Sequence, residues 1–409
     1  MSLVPDDAAK PADGEAAAAP AGAAPSAAEP PAAPAEPSAV RVAGVRFWRE
    51  AWVDAVLPTI LLRPVALLFA VVAVVVVAGS SLPGGSVIEI WNRWDAPHFF
   101  EVAAYGYGPP ADRARIVLFP LLPALIRVGS VVTTPLVAGM VISFVATLAA
   151  AAGLYRLIRF DDGRPTARLA VLAMSVFPTA FTLVAPYSEA PFLALTVWSF
   201  VAAREGRWPA AGVLALFAGL TRIQGGFLFP ALLLEYWLAE RRLGRDASWL
   251  LLAAGGPLIY LGINYATFGD PLYFLEIQRT AFNVATVAPW TALANAWNGV
   301  AAVAQSRAWA TVYLAPFLAI VVLAATAVWT VVARKSRPSY AVYTGLTLLS
   351  FLTLSWPISV PRYLMGVFPI FIAAGGLGRR PWLGPPMLVG SVLLFGVCTA
   401  LFVNGNWAF

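Results

Sequence analysis

Charge is what this sequence is shortest of. Only 12% of its 409 residues are charged, against about 25% in an ordinary soluble domain. With 60% hydrophobic residues and a mean hydropathy of +0.76, too little polar surface remains to cover a water-facing globule. A soluble enzyme is excluded. Cysteine occurs once, at Cys398, which excludes an intrachain disulfide and any CxxC metal or redox pair. Histidine also occurs once, at His98, which excludes His-cluster zinc sites and a two-histidine relay. Lys10 and Lys335 are the only lysines, and neither stands in a GxxxxGK[ST] phosphate loop. ATP-driven transport by this chain alone is therefore not expected. The net charge of +6 is scattered between apolar runs, a pattern that membrane topology explains better than nucleic acid.

What the sequence has instead is length of apolar run. Several stretches exceed the roughly 18 residues that mark a spanning helix. Residues 1–45 are rich in Ala and Pro and lack the aromatic and branched residues of a core, so they read as a disordered cytoplasmic tail. Residues 46–409 read as one all-α polytopic membrane domain. Spanning helices are predicted near 56–79, 133–156, 168–184, 189–204, 208–222, 225–240, 248–267, 309–333, 339–355, 362–378 and 384–404, about eleven in all. The basic breaks at Arg41, Arg46 and Arg49, at Arg156, Arg159, Arg164 and Arg168, at Arg204 and Arg207, at Arg241, Arg242 and Arg245, at Arg334, Lys335 and Arg337, and at Arg379 and Arg380 then fall on one side. By the positive-inside rule that side is cytoplasmic. The C-terminus lies outside.

The inner connections are brief; two outer ones, 80–132 and 268–308, are long and rich in Trp, Tyr and Asn. Such composition argues for interfacial helices at headgroup level, and long connections are often functional. Within WNRWDAPHFFEVAAYGYG (91–108), Asp95, His98, Glu101 and Tyr105 are spaced to share a helical face. Trp91, Trp94, Phe99 and Phe100 would anchor it at the lipid boundary. A carboxylate in a half-dry setting can act as a general base; the plainer alternative is an interfacial helix whose polar side merely meets water. VLFPLLPALIRVGS (117–130) reads as an apolar scaffold element. In APYSEAPF (185–192), Ser188 is placed to cap the next helix, and Glu189 is either a dipole-stabilised first-turn acid or a functional carboxylate at the membrane edge. TRIQGG (221–226) and PRYLMGVFP (361–369) each bring a lone outer arginine, Arg222 and Arg362. These suit an anionic headgroup or a structural ion pair, for Arg222 with Glu189. Asp270 in FGDP reads as a turn residue. Asp95, Glu101, Asp112 and Glu189 share the outer side and leave room for a weak divalent-metal site, though no ligand spacing specifies one; no other cofactor is called for.

Taken in order, WDAPHF with YGYG and FPLLP, APYSEAPF, TRIQGG and PRYLMGVFP resemble the PIG-V mannosyltransferases of the GT-C class of membrane glycosyltransferases. The Ala/Pro-rich tail departs from the eukaryotic pattern and points to a bacterial member, for which the GPI anchor precursor is not the expected acceptor. The resemblance implies a GT-C-like bundle in the plasma membrane. It also implies inverting transfer of a sugar, such as mannose, from a polyprenyl-phosphate donor to a glycan, lipid or protein acceptor on the extracytoplasmic side. On this reading Asp95 is the base. Trp91, Trp94, His98, Tyr187 and Glu189 contact the sugar or acceptor, and Arg222, Gln224, Arg362 and Tyr363 the donor phosphate. A transporter or flippase of a lipid-linked sugar or small solute is the main alternative. It predicts internal repeats and functional residues on both faces. A non-catalytic scaffold would tolerate loss of Asp95, Arg222 and Arg362 together.

Overall fold

A computed structural model of the chain describes residues 47–302, 308–333 and 336–409. The predicted tail, 1–45, lies outside them, as do Arg307, Arg334 and Lys335. The described chain is helical throughout; its one β feature is an isolated antiparallel bridge between Thr286 and Leu354. In order, the helices are α1 (Phe47–Val77), α2 (Asp95–Tyr105), α3 (Leu121–Gly129), α4 (Pro135–Arg159), α5 (Gly163–Ser175) and α6 (Glu189–Arg204). They continue with α7 (Trp208–Gly219), α8 (Leu228–Glu240), α9 (Arg245–Phe268), α10 (Tyr273–Ala281) and α11 (Pro289–Ala302). The last are α12 (Ala310–Val332), α13 (Pro338–Phe351), α14 (Val360–Gly366), α15 (Phe368–Gly378) and α16 (Gly384–Val403).

Every predicted span is occupied by a helix, but not every helix is long enough to be one. Five (α1, α4, α9, α12 and α16) have the length and apolarity to cross a membrane, and a sixth would be α14 with α15, bent by 82° at their junction. The helices at the other predicted spans, α5, α6, α7, α8 and α13, have 12 to 16 residues, or about 18–24 Å at 1.5 Å per residue. The shortfall has a physical reason. The connection from α5 to α6 holds a short 3₁₀ turn, Ala180–Leu183, all of it buried. Non-helical backbone at such depth is tolerated when protein rather than lipid surrounds it.

α6 is the centre of the bundle. All its residues except Leu195, Trp198 and Arg204 are buried. It packs against α4 and α7, while α15 lies along α5 and α9 along α7. The two long connections carry short helices as predicted: α2 and α3 in the first, α10 and α11 in the second. Phe99 and Ala103 of α2 close on Leu122 and Ile126 of α3 in a small core of their own, so the 117–130 stretch does serve to support α2. Gly269, left-handed at φ 77°, ends α9, and the Asp270 carboxylate accepts from Leu272 N at 2.8 Å, the turn role read for it.

Candidate functional site at the start of the central helix

Asp95 owes its position to the backbone just before it. A 3₁₀ turn at Glu89–Trp91 leads to Trp94, whose φ of 56° is a costly left-handed value for a bulky side chain. The chain then enters α2 with Asp95 as its first residue. Tyr187 pins this turn: its hydroxyl accepts from Asp95 N and donates to Arg93 O, both at 3.3 Å. Burial holds the Tyr187 phenol far above its ordinary pKa, so it stays neutral and able to donate.

Three other chain segments meet Asp95. Glu189 is the first residue of α6 and is 2% exposed. Ser188 precedes it but makes no side-chain cap; its hydroxyl accepts from Arg222 Nη1 at 3.3 Å instead, which corrects the capping role read from sequence. Arg222 extends from the turn after α7. That turn is tight because a Cβ on Gly225 would sit 2.2 Å from Gly219 N, so only glycine lets the backbone fold against the end of α7. Arg362 lies on α14, whose Pro361 carbonyl accepts from Thr179 Oγ1 at 3.2 Å.

The result is one continuous ionic chain. Asp95 Oδ2 is 2.6 Å from Arg362 Nη2, Arg362 Nε is 3.3 Å from Glu189 Oε1, and that oxygen is 2.9 Å from Arg222 Nη1. Tyr363 faces both guanidinium groups, at 4.2 Å from Arg222 and 5.2 Å from Arg362; Tyr187 faces Arg362 at 5.2 Å. Side-chain exposure rises from 2% at Glu189 through 11% at each arginine to 30% at Asp95. The cluster thus meets the surface at Asp95. Two carboxylates balance two arginines, so the ion pairing foreseen for Arg222 with Glu189 holds, and Arg362 joins it.

The remaining predicted residues divide. Gln224 is buried in the Arg222 turn, and Trp94 is partly exposed with its ring 5.2 Å from that of Trp407. Trp91 is fully buried, its ring 6.0 Å from Phe402; it presents no open face to a sugar and no surface to lipid. The shared face on α2 splits: Asp95 turns to Arg362, whereas Glu101 takes Arg115 Nε at 2.6 Å and Asp112 N at 2.8 Å. Those two hydrogen bonds hold the Glu101 carboxyl below its ordinary pKa, that to Arg115 foremost. His98 is half-buried, and burial first, then Arg115, keeps its pKa below 6.5. Among the described residues no three His, Cys, Asp or Glu side chains gather as a metal site.

Sequence reasoning missed two buried acids at the other end of α6. Asp54 on α1 accepts from Tyr155 at 2.8 Å and from Arg164 Nη2 at 3.0 Å. Glu235 on α8 accepts from Ser339 at 2.6 Å and Arg337 Nε at 3.0 Å, with Arg204 Nε at 3.7 Å. Arg204 also grips Asp161 with two nitrogens, at 2.6 and 2.9 Å. The available signal was a lone acid inside an apolar run, WVDAVL and LLLEYW, which is expensive in a membrane protein without a partner.

Comparison with known proteins bears on the half of the cluster nearest α6. Residues 118–261 match the profile of the dolichyl-phosphate-mannose-protein mannosyltransferase family. This stretch contains Tyr187, Glu189, Arg222 and Gln224 but neither Asp95 nor Arg362, and it is under half of the chain. It supports a membrane glycosyltransferase. Among solved structures, the oligosaccharyltransferase of Archaeoglobus fulgidus, in complex with zinc and sulfate, aligns with 83% of this chain at 12% identity and a TM-score of 0.45. The chain spans about half that protein's length, 53%. No functionally curated protein matches the chain.

Proposed function

We propose that the protein is a GT-C-like glycosyltransferase of the plasma membrane, with Asp95 and its cluster on the extracytoplasmic side. It moves a sugar, mannose on the family match and on the PIG-V-like motifs, from a polyprenyl-phosphate donor to an acceptor hydroxyl. The observation that carries this reading is the meeting of Asp95, Glu189, Arg222 and Arg362 in one ionic chain that reaches the surface at Asp95. Residues so far apart in sequence have no packing need to bring four charges together at one end of a helix, and intramembrane charges are functional candidates by default.

The chemistry follows from that arrangement. The donor phosphate competes with Asp95 for Arg362 and, as it takes over that guanidinium, frees the carboxylate. Asp95 then removes the acceptor hydroxyl proton. The acceptor oxygen attacks the anomeric carbon from the face opposite the phosphate, the bond from that carbon to the phosphate oxygen breaks, and the phosphate leaves with the electron pair. The configuration inverts. Arg222, Arg362, Gln224 and Tyr363 stabilise the departing phosphate, Glu189 keeps both arginines oriented, and His98 and Trp94 meet the sugar or acceptor at the exposed edge. The test is transfer from radiolabelled polyprenyl phosphate mannose into membranes carrying the protein. Asp95→Asn should lower turnover by roughly 10²–10⁴ with the protein still folded; near-normal transfer would remove Asp95 as the base.

One observation favours a second reading, a transporter. An open polar groove of about 520 Å³ lies at the far end of α6, lined by Phe160, Asp161, Leu238, Arg241, Ser336, Arg337 and Pro338. Uptake of a lipid-linked sugar into vesicles without formation of a new glycosidic bond would select that reading.

A further inference from the structure

The four-charge chain is electrically neutral, so a phosphate that draws Arg222 or Arg362 to itself competes with a carboxylate already paired there. One nearby arginine needs no such exchange. Arg93, two residues before Asp95, makes no ion pair or side-chain hydrogen bond with any described residue. Its Nε is buried without an acceptor, while its carbonyl is held by the Tyr187 hydroxyl at the root of the cluster. The terminal nitrogens, also without acceptors, are not sealed from the surface, since Nε alone of the three is enclosed and unbonded. A second orphan donor belongs to the tryptophan packed on the next residue: the indole N–H of Trp407 is buried without an acceptor, and its ring packs edge-on against Trp94 at 5.2 Å. The neighbouring Trp94 backbone carries the left-handed φ noted above.

Both orphans are donors, and neither guanidinium nor indole can accept. A buried donor without an acceptor is costly, and one on this strained turn with another on the tryptophan packed against it call for a ligand that offers acceptors only. An oxyanion fits, and a guanidinium matches phosphate with two parallel bonds. We infer that Arg93, assisted by the Trp407 indole, is the docking contact for the phosphate of a lipid-linked substrate. It holds that group beside the cluster before any ion pair is broken. The inference rests on the transferase reading only in naming the donor as the source of the phosphate.

Binding to the full-length protein in nanodiscs tests this without requiring turnover. Farnesyl phosphate, farnesol and inorganic phosphate serve as probes, read by tryptophan fluorescence. Farnesyl phosphate should bind and the other two should not. Arg93→Gln should weaken it by about tenfold or more, the loss of a charged hydrogen bond. Arg93→Lys should lose less because it keeps the charge but not the fork, and Trp407→Phe should lose roughly twofold to tenfold. Arg113→Gln, an exposed arginine of the same connection, should bind like the parent. Should Arg93→Gln fail to fold, the Lys and Phe variants carry the test. Parental affinity in Arg93→Gln and Arg93→Lys, or no binding of farnesyl phosphate at all, overturns the site. Inorganic phosphate binding as tightly as farnesyl phosphate overturns the lipid-linked assignment. Arg93-dependent binding without sugar transfer leaves this site standing and removes the transferase reading; transfer that ignores Arg93 does the reverse.

Discussion

The two ends of α6 carry networks of the same residue types put to different uses. Glu189 and Arg204 open and close the helix, about 22 Å apart at 1.5 Å per residue. At the Arg204 end each of the two buried acids is held several times over: Glu235 by Arg337, Arg204 and Ser339, and Asp54 by Arg164, Arg168 and Tyr155. At the Glu189 end Asp95 spends one oxygen on a single arginine, aromatic faces stand where further donors would be, and a neighbouring arginine is left unsatisfied. The first arrangement is a clamp between helices. The second keeps hydrogen-bonding capacity in reserve, and reserve is what a ligand uses.

The comparison is broken most directly by removing one anion from each end. Glu235→Ala leaves Arg204 and Arg337 short of their shared partner in a buried setting, where loss of one member of an ion pair costs about 3–5 kcal/mol. Glu189→Gln leaves Arg222 and Arg362 with Asp95 alone, and a loss of similar size is expected. The difference should lie in rescue: farnesyl phosphate raises the thermal midpoint of Glu189→Gln by supplying the missing anion and does nothing for Glu235→Ala. Equal behaviour of the two variants in a thermal-shift series would mean that both ends are clamps.

A smaller effect separates the two buried tyrosines. Tyr155→Phe removes a hydrogen bond to the Asp54 carboxylate and should cost about 1.5–3 kcal/mol of stability, with transfer by the folded fraction unchanged. Tyr187→Phe removes two longer bonds between neutral groups and should cost only about 0.5–1.5 kcal/mol. Because those bonds set the Trp94 turn, transfer should nonetheless fall roughly ten- to hundredfold as Asp95 shifts. Denaturation midpoints and turnover measured on the same preparations decide it.

How much of this was legible in the sequence depends on whether the signal is local. Apolar runs placed a helix at each predicted span, and the FGDP turn and the ion-pairing alternative for Arg222 with Glu189 were readable from residue types alone. The lengths were not. Whether α6 needs to reach across a bilayer depends on what surrounds it, and its burial by α4 and α7 is a tertiary fact. Trp91 shows the same limit: an interfacial tryptophan and a core tryptophan look alike until Phe402, more than three hundred residues later, is seen against it. Asp54 and Glu235 escaped notice because each sits singly in an apolar run, where its partners come from other helices. The Arg362 pairing with Asp95 joins the two ends of the motif series and follows from no spacing at all.

The gentlest probe of the contrast is acid. On α2, His98 has its pKa held below 6.5 by burial and by Arg115, so the unfolded chain takes up a proton more readily than the folded one. Stability then rises with pH across this window: the contribution of neutral His98 is present above 6.5 and is lost as pH falls through the lowered folded value. Glu101, held below 4.5 by Arg115 and Asp112 N, adds a contribution that is present above 4.5 and disappears under it. Both groups lie on the helix that begins with Asp95, and Glu101 ties it to Arg115 and to Asp112 N, on the side of the molecule where capacity is held in reserve. Between pH 7 and 4, amide protection factors should therefore fall first along α2 and the Arg113–Val117 turn, before α4 loosens at its Arg159 end. His98→Gln should remove the step near and below pH 6.5 while leaving the lower one. If protection instead declines at both ends of the bundle together, α2 is no more loosely held than the clamp, and the contrast between the two networks fails as an account of where this protein yields.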